Sequence, residues 1–437
     1  MRRTKVTLSL SPLALLTLAA CGGGTTSSGP TSSSFSASSG RVEDGPLQNA
    51  IAFLDYNDNG ILDADEPSMR TASDGSYSLT PTQANYSIVA VTDDTTIDTV
   101  SGSVVSGITL KAPSGAAMVT PTTTLMEDGG LTAEQVVQVL GLPTGMNPLT
   151  YSAHADISGL TGTAKTDAQE MALAVELANQ QILSVVNSFA ATAEGSGVSE
   201  TEAFSAALMS VAEVIKEKSD VYEAAVAAKA ADDSLAAPVL AKLILSDATS
   251  LASVHTKIVG KVNVLAAAEV TAGLTSNIKS SEFAATMVET VKAAVIINAK
   301  INAITDTDLT SAATKDILAI SQVFKDQVHA AAKLTVTNNA GNAVGVAVNT
   351  ASVAFASSDS TALTNAIANK APTDIALDVQ TISEASGTLL KVGDVTTIDA
   401  AAANGTVSSG FKYSISTVDG TDHAAFTIDQ TTGALSL

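Results

Sequence analysis

Between about Arg41 and Lys111 the apolar residues come in short runs. "NAIAFLD" (Asn49–Asp55), "SYSLT" (Ser76–Thr80) and "NYSIVAVT" (Asn85–Thr92) are of strand length, rich in β-branched or aromatic residues and bounded by turn formers. "SDG" at Ser73–Gly75 marks a tight turn between two of them. Short strands at this spacing predict a small β-sandwich over 41–112. The texture changes near Pro113. After "TPTTTL" (Thr120–Leu125), Ala-rich amphipathic segments run to about Lys333. In "SEFAATMVETVKAAVIINAKINAI", Phe283, Met287, Val291 and Val295 recur every four residues, which places them on one helical face. Thr132 with Gln135, and Ser199 with Glu202, have the spacing of capping boxes at helix starts. Each apolar stripe needs another to cover it, so 113–333 is expected to form a helical bundle. A polar Asn/Ala/Ser-rich stretch, 334–370, reads as a linker or as structurally uncertain. From Ala371 to Leu437 alternation and Gly turns return, and strands are expected again. The predicted fold class is therefore multidomain α+β: a β-sandwich, an Ala-rich helical domain and a C-terminal β-sandwich domain.

The ends of the chain change this picture. "MRRTKVTLSLSPLALLTLAAC" has a basic start, a short apolar run and small residues before Cys21, the single cysteine of the sequence. The run is too short to span a bilayer. A signal segment over 1–20 follows, and a lone cysteine argues against a disulfide framework. Residues 22–40, "GGGTTSSGPTSSSFSASSG", are a Gly/Ser tether with too little apolar surface to fold. The chain carries 22 Lys and Arg against 44 Asp and Glu, a net charge of −22. That balance repels phosphate backbones and anionic lipid surfaces, so nucleic acid is not an expected partner. It suits an extracellular, cation-rich setting.

One short stretch carries specific chemistry. In "FLDYNDNGILDADEP" (Phe53–Pro67), Asp55, Asn57 and Asn59 occupy positions 1, 3 and 5 of a twelve-residue calcium loop. Gly60 permits the sharp turn at position 6, Ile61 offers a backbone carbonyl at 7, Asp63 stands at 9 and Glu66 at 12. Ca²⁺ takes six to eight hard oxygens, which this spacing supplies from one local wrap of chain. The alternative is a polar Asx/Gly hairpin turn without metal. Strand-like Phe53 and Leu54 before the loop, and Pro67 after it, argue against flanking EF-hand helices. A clip between two strands is expected instead, structural in role, with an affinity of roughly 10⁻⁴ to 10⁻³ M.

Three resemblances extend the reading. "LAAC" (Leu18–Cys21) resembles the lipobox of bacterial lipoproteins, which implies lipidation of Cys21; Gly22 after it, rather than Asp, favours the outer membrane over the inner. "VEDGPLQNAIAFLDYNDNGILDADEPSMRTASDGSYSL" resembles the SdrD B-like and prealbumin-like β-sandwich repeats of bacterial surface proteins. Ala50 and Phe53 lead into the loop, Glu66-Pro67 closes it, and Thr71, Asp74-Gly75 and Tyr77 mark the next hairpin. That family implies calcium-stabilised stalk or spacer modules without catalysis. "APTDIAL" (Ala371–Leu377), "YSI" and "FTIDQTTGALSL" resemble a bacterial cadherin-like repeat, truncated here. Glu384 matches its early acidic ligand, whereas Asp399-Ala400-Ala401 stands where the family has an Asp-x-Asp pair, so Glu384 and Asp399 are weak metal candidates. The acidic segment that the family has beyond its last strand is absent before Leu437, which suggests a fragment or the start of a longer array of repeats.

Signs of catalysis are sparse. His154, His255, His329 and His423 are scattered outside any metal-ligand spacing, and each reads as a surface or helix-face residue. No G-x-S-x-G elbow or Walker-type loop occurs, and "NNAGNAVG" (Asn338–Gly345) reads as a plain loop. Acids such as Glu213 and Glu217 fall on what should be solvated helix faces. Two carboxylates of a glycosidase need no motif, but aromatics make up only 3% of the chain, which removes the usual sugar-stacking platforms. The expected protein is not an enzyme. It is a calcium-binding, lipid-anchored surface protein of adhesion or scaffolding, with a protein or polysaccharide partner. The alternatives are a lipoprotein whose helical domain binds a ligand or polysaccharide, and the anchor region of a longer surface enzyme.

Overall fold

The computed structural model describes residues 36–102, 104–271, 278–309 and 311, together with the backbone of four strands between 374 and 436. Cys21, most of the tether, the stretch 312–373, Glu384, Asp399, His329 and His423 lie outside the described residues.

The chain has both strands and helices, as an α+β fold requires. Strand β1 (Ser38–Val42) pairs antiparallel with β5 (Ser76–Leu79) and parallel with β9 (Met118–Val119). A second sheet has the order β4 (Ser68–Arg70), β3 (Ile51–Asp55), β6 (Ser87–Val91), β8 (Thr109–Pro113), all antiparallel. A two-stranded ribbon, β2 (Leu47–Gln48) with β7 (Ile97–Asp98), stands beside them. Side chains point to alternate faces of a strand. Val42, Tyr77, Leu79 and Val119 of the first sheet therefore meet Leu54, Ile88, Ala90 and Leu110 of the second in one core. Leu183, from a helix far along the chain, completes it.

This module outruns the expected 41–112. β1 begins at Ser38, and β9 returns to pair with β1 before the first helix starts. β9 is two residues long and pairs with a strand about eighty residues away, so no local alternation announces it.

Helix α1 (Pro121–Gly129) packs along β8 and is capped by Thr120; α2 (Ala133–Leu140) follows. At the start of α2 the expected capping box is complete: Thr132 accepts from the Gln135 amide and the Gln135 side chain accepts from the Thr132 amide. Thr132→Ala should therefore lower stability by about 1 kcal/mol in urea unfolding. A loss under a few tenths would mean the box contributes nothing. At the other predicted box, Ser199 caps α4 but gives its hydroxyl to the Glu202 carboxylate, 2.7 Å away.

Four long helices make the bundle: α3 (Gly162–Gly195), α4 (Glu200–Ala231), α5 (Ala248–Thr271) and α6 (Ser280–Asn302). α3 touches α4 and α6, and α5 touches the same two, which closes a ring. Phe189, Val211, Ile258, Phe283 and Met287 lie fully buried inside it, and Val291 is buried on the predicted α6 stripe with Val295 packed at its edge. Thr192 Oγ1 of α3 and Thr290 Oγ1 of α6, both buried, pair across the ring at 2.9 Å. Among the described residues no helix is long and apolar enough to cross a membrane.

Near the C-terminus, β10 (Asp374–Val379), β11 (Lys391–Ile398), β12 (Thr427–Ile428) and β13 (Ala434–Ser436) form an antiparallel sheet of order β10-β11-β13-β12.

Candidate functional site

The loop leaves β3 at Asp55 and returns just before β4. Its backbone is wound onto its own side chains. Asp55 Oδ1 accepts from the Asn57 amide (3.2 Å) and Oδ2 from the Gly60 amide (2.7 Å). Asn57 Oδ1 accepts from the Asn59 amide at 3.0 Å, and Asn59 Oδ1 from the Ile61 amide at 2.7 Å. These successive Asx turns curl the chain tightly. Gly60 turns the corner at φ +71°, in the left-handed region that glycine enters without strain. At the far end Glu66 accepts from the Tyr56 amide (2.8 Å) and the Asp63 amide (2.9 Å), so one carboxylate staples the two limbs of the loop.

The seven expected positions therefore belong to one wrap, and the five acid and amide side chains among them fall in two groups. Asp55 and Glu66 are buried and turned to backbone amides. Asn57, Asn59 and Asp63 gather on the outer side, where Asp63 Oδ2 accepts from both side-chain amides, at 2.8 and 3.1 Å. The Ile61 side chain stands in solvent. Among the described residues no three His, Cys, Asp or Glu side chains are disposed as metal ligands. The loop's donor set would be mixed instead, with amide and main-chain oxygens beside the carboxylates, all of them hard oxygens of the kind Ca²⁺ takes. Lys111 of β8 stands against the loop, 3.8 Å from Asp58 and 3.0 Å from Asp128 of α1. Burial alone would lower the Lys111 ammonium, but Asp128, Asp58 and Asp55 together hold it above its ordinary value. It ties the loop to the first helix.

A second polar centre lies where the β-module meets α3. Glu176, 1% exposed, sits on α3, and His154 Nε2 approaches its Oε2 to 3.1 Å. Gln180, one turn on, donates to Glu176 Oε1 (3.0 Å) and to Asp44 Oδ1 (2.9 Å). Glu43, buried at the end of β1, accepts from Ser152 Oγ at 2.6 Å. Asp98 of β7, also buried, accepts from the Val100 amide, the Ser101 amide and Ser101 Oγ. Gly45 fits beside it because it has no side chain: a Cβ there would lie 2.0 Å from Asp98 Oδ1.

Chain matching gives no family: no family model, curated protein or solved structure matches. Function is therefore argued from these two centres and from the surface.

His154 corrects the expectation of a surface or helix-face histidine. Its side chain is only 10% exposed and it lies in the turn before α3, ion-paired with Glu176. His255, on α5, is half-buried and matches the helix-face reading. Sequence reasoning missed Glu43, Asp44, Asp98, Glu176 and Gln180. Glu176 did leave one signal, since it shares the buried helical stripe of Ala172, Leu173 and Leu183, where a charge has to have a partner. Glu213 and Glu217 pair with Lys261 and Lys257 across α4 and α5. These pairs edge an open groove of about 780 Å³ whose walls include Met209, Val264 and Leu265.

Proposed function

We propose that the chain is a calcium-stiffened surface lipoprotein, tethered to the outer membrane through Cys21, that acts in adhesion or as a surface scaffold. The β-module would be the SdrD B-like spacer and the C-terminal sheet part of a cadherin-like repeat. The observation that carries this reading is the Asx-wound loop between β3 and β4, with Asp55, Asn57, Asn59, Asp63 and Glu66 in one wrap. These side chains and the Ile61 carbonyl would hold the ion. Ca²⁺ would neutralise the clustered acids and fix the connection, so that a tethered module projects stiffly from the membrane. The surplus of acid over base in the whole chain fits a cation-rich exterior.

The test is calcium titration calorimetry on the full chain, wild type beside Asp63→Ala. Leu183 of α3 belongs to the β-module's core, so an isolated 41–112 fragment is a poor substitute. Saturable heat in the submillimolar to millimolar range, lost in the variant, is the expected result. No heat, or equal heat in both, would reduce the loop to a polar turn.

A second reading rests on the α4–α5 groove, whose apolar wall and charged rim suit an amphipathic small molecule. A ligand whose binding Met209→Lys abolishes, while calcium binding stays intact, would favour it.

A further inference from the structure

The centre between the β-module and α3 gathers four segments that are distant along the chain. Glu43 and Asp44 come from the end of β1, Asp98 from β7, His154 from the 151–154 turn, and Glu176 from α3. The other titratable or charged groups facing it are Arg41 of β1 and Tyr151 of the turn. Arg41 already pairs with Asp74 at 3.1 Å. Four carboxylates thus share one junction with a single imidazolium. His154 with Glu176 and Asp44 with Gln180 join the turn and the β-module to α3, Glu43 with Ser152 joins β1 to the turn, and the Asp98 bonds hold the 98–101 segment in shape. Like charges in a poorly solvated space resist ionising together. A proton is the simplest cation that relieves them.

We propose that this junction is a proton-operated clasp, which holds the β-module on α3 in mildly acidic medium and loosens as the medium turns neutral to alkaline. The proposal does not depend on calcium at the distant loop.

The individual groups support it. Burial pushes the Glu43 carboxyl up, against the pull of His154 and Ser152. Burial likewise pushes Asp98 up to about 6, and the Glu176 charge adds to the effect, while bonds from Ser101 and Val100 oppose it. Burial would lower His154, but the Glu176 charge and hydrogen bond, backed by Glu43 and Asp98, hold it above its ordinary value. Burial would raise Glu176, yet His154, Gln180 and the Gly45 amide keep it below the usual carboxylate range. Glu43, Asp98 and His154 are thus raised above their unfolded values. Their contribution is present at low pH and is lost as pH climbs through their folded values. Glu176 is depressed, so its contribution is lost only as pH falls below the carboxylate range. The clasp is therefore tightest in mildly acidic medium, above the range in which Glu176 takes up its proton, and weakens as pH rises toward the folded value of Asp98, about 6, and then through that of His154.

The test uses the full chain in chelator at constant ionic strength. Urea unfolding at pH 4.5 and pH 7 is compared for wild type and Asp98→Asn. Across this interval wild type should lose roughly thirtyfold more in its folding constant than the variant, which cannot shed that proton. Half-buried His255, which burial lowers, titrates in the opposite sense in both proteins and cancels in the comparison. Hydrogen exchange, corrected for intrinsic rate, should show segments 43–46 and 151–154 losing protection at pH 8 while the Phe189 region of the bundle keeps it. Should Asp98→Asn fail to fold, the imidazole of His154 in wild type still decides, its signal assigned by its loss in His154→Gln. A midpoint above that of ordinary histidine supports the clasp. A midpoint at or below it, equal pH dependence in the two proteins, or unchanged protection at 43–46 and 151–154 would overturn it.

Discussion

Glu176→Ala is expected to destabilise the folded chain by about 3–5 kcal/mol, the cost of breaking a buried ion pair from one side. The carboxylate is 1% exposed and receives bonds from His154, from Gln180 and from the Gly45 amide. Without it, His154 would remain beside Glu43 and Asp98 with no partner on α3, and Gln180 would keep only Asp44 of its two carboxylate acceptors. Nearby water would recover part of the loss, because the turn at 151–154 is partly open to solvent. Glu176→Gln keeps the shape and a carbonyl acceptor while removing the charge, so a smaller loss is expected there. Urea unfolding near pH 6 checks both. A loss under about 1 kcal/mol for the alanine variant would mean that water already solvates the cluster. The His154–Glu176 pair would then hold nothing together.

Asp55→Ala should be the next most damaging change, at about 2–4 kcal/mol, from two charge-assisted bonds to partly buried amides lost together with the buried carboxylate that makes them. Its carboxylate, 1% exposed, fixes both the first turn of the loop and the glycine corner at Gly60. This loss should appear with chelator present as well as with calcium, because the bonds are made to the backbone. Asp63→Ala differs in kind. Its carboxylate accepts only from the side chains of Asn57 and Asn59, on the exposed side of the loop. In chelator it should cost under about 1 kcal/mol. With saturating calcium the gap to wild type should widen by the binding contribution. Thermal unfolding of the three proteins in both conditions separates the loop's own scaffold from any metal. If Asp55→Ala were harmless in chelator, the Asx turns would not be what shapes the loop.

Much of the molecule was legible residue by residue. The strand-length runs at 51–55, 76–79 and 87–91 are strands, and the four-residue stripe of Phe283, Met287 and Val291 is a buried helix face. Ser199 and Thr132 stand at helix starts. The Asp/Asn loop has the curled backbone that its spacing predicts, because each Asx side chain bonds an amide only a few positions away. The capping and turn bonds close within five residues and the stripe repeats every four, so they depend little on the rest of the fold.

The sequence by itself determined the local elements: strands, helices, caps and the wound loop. Those follow from backbone preferences and from hydrogen bonds between near neighbours. Only the tertiary structure decided that β9 would return beside β1, and that Leu183 of α3 would enter the β-module's core. It also decided that Glu43, Asp98, His154 and Glu176 would share one buried junction. Burial and Coulomb energy depend on distance in space, and these residues are brought close only by the packing of the β-module on α3. No spacing along the chain records that distance.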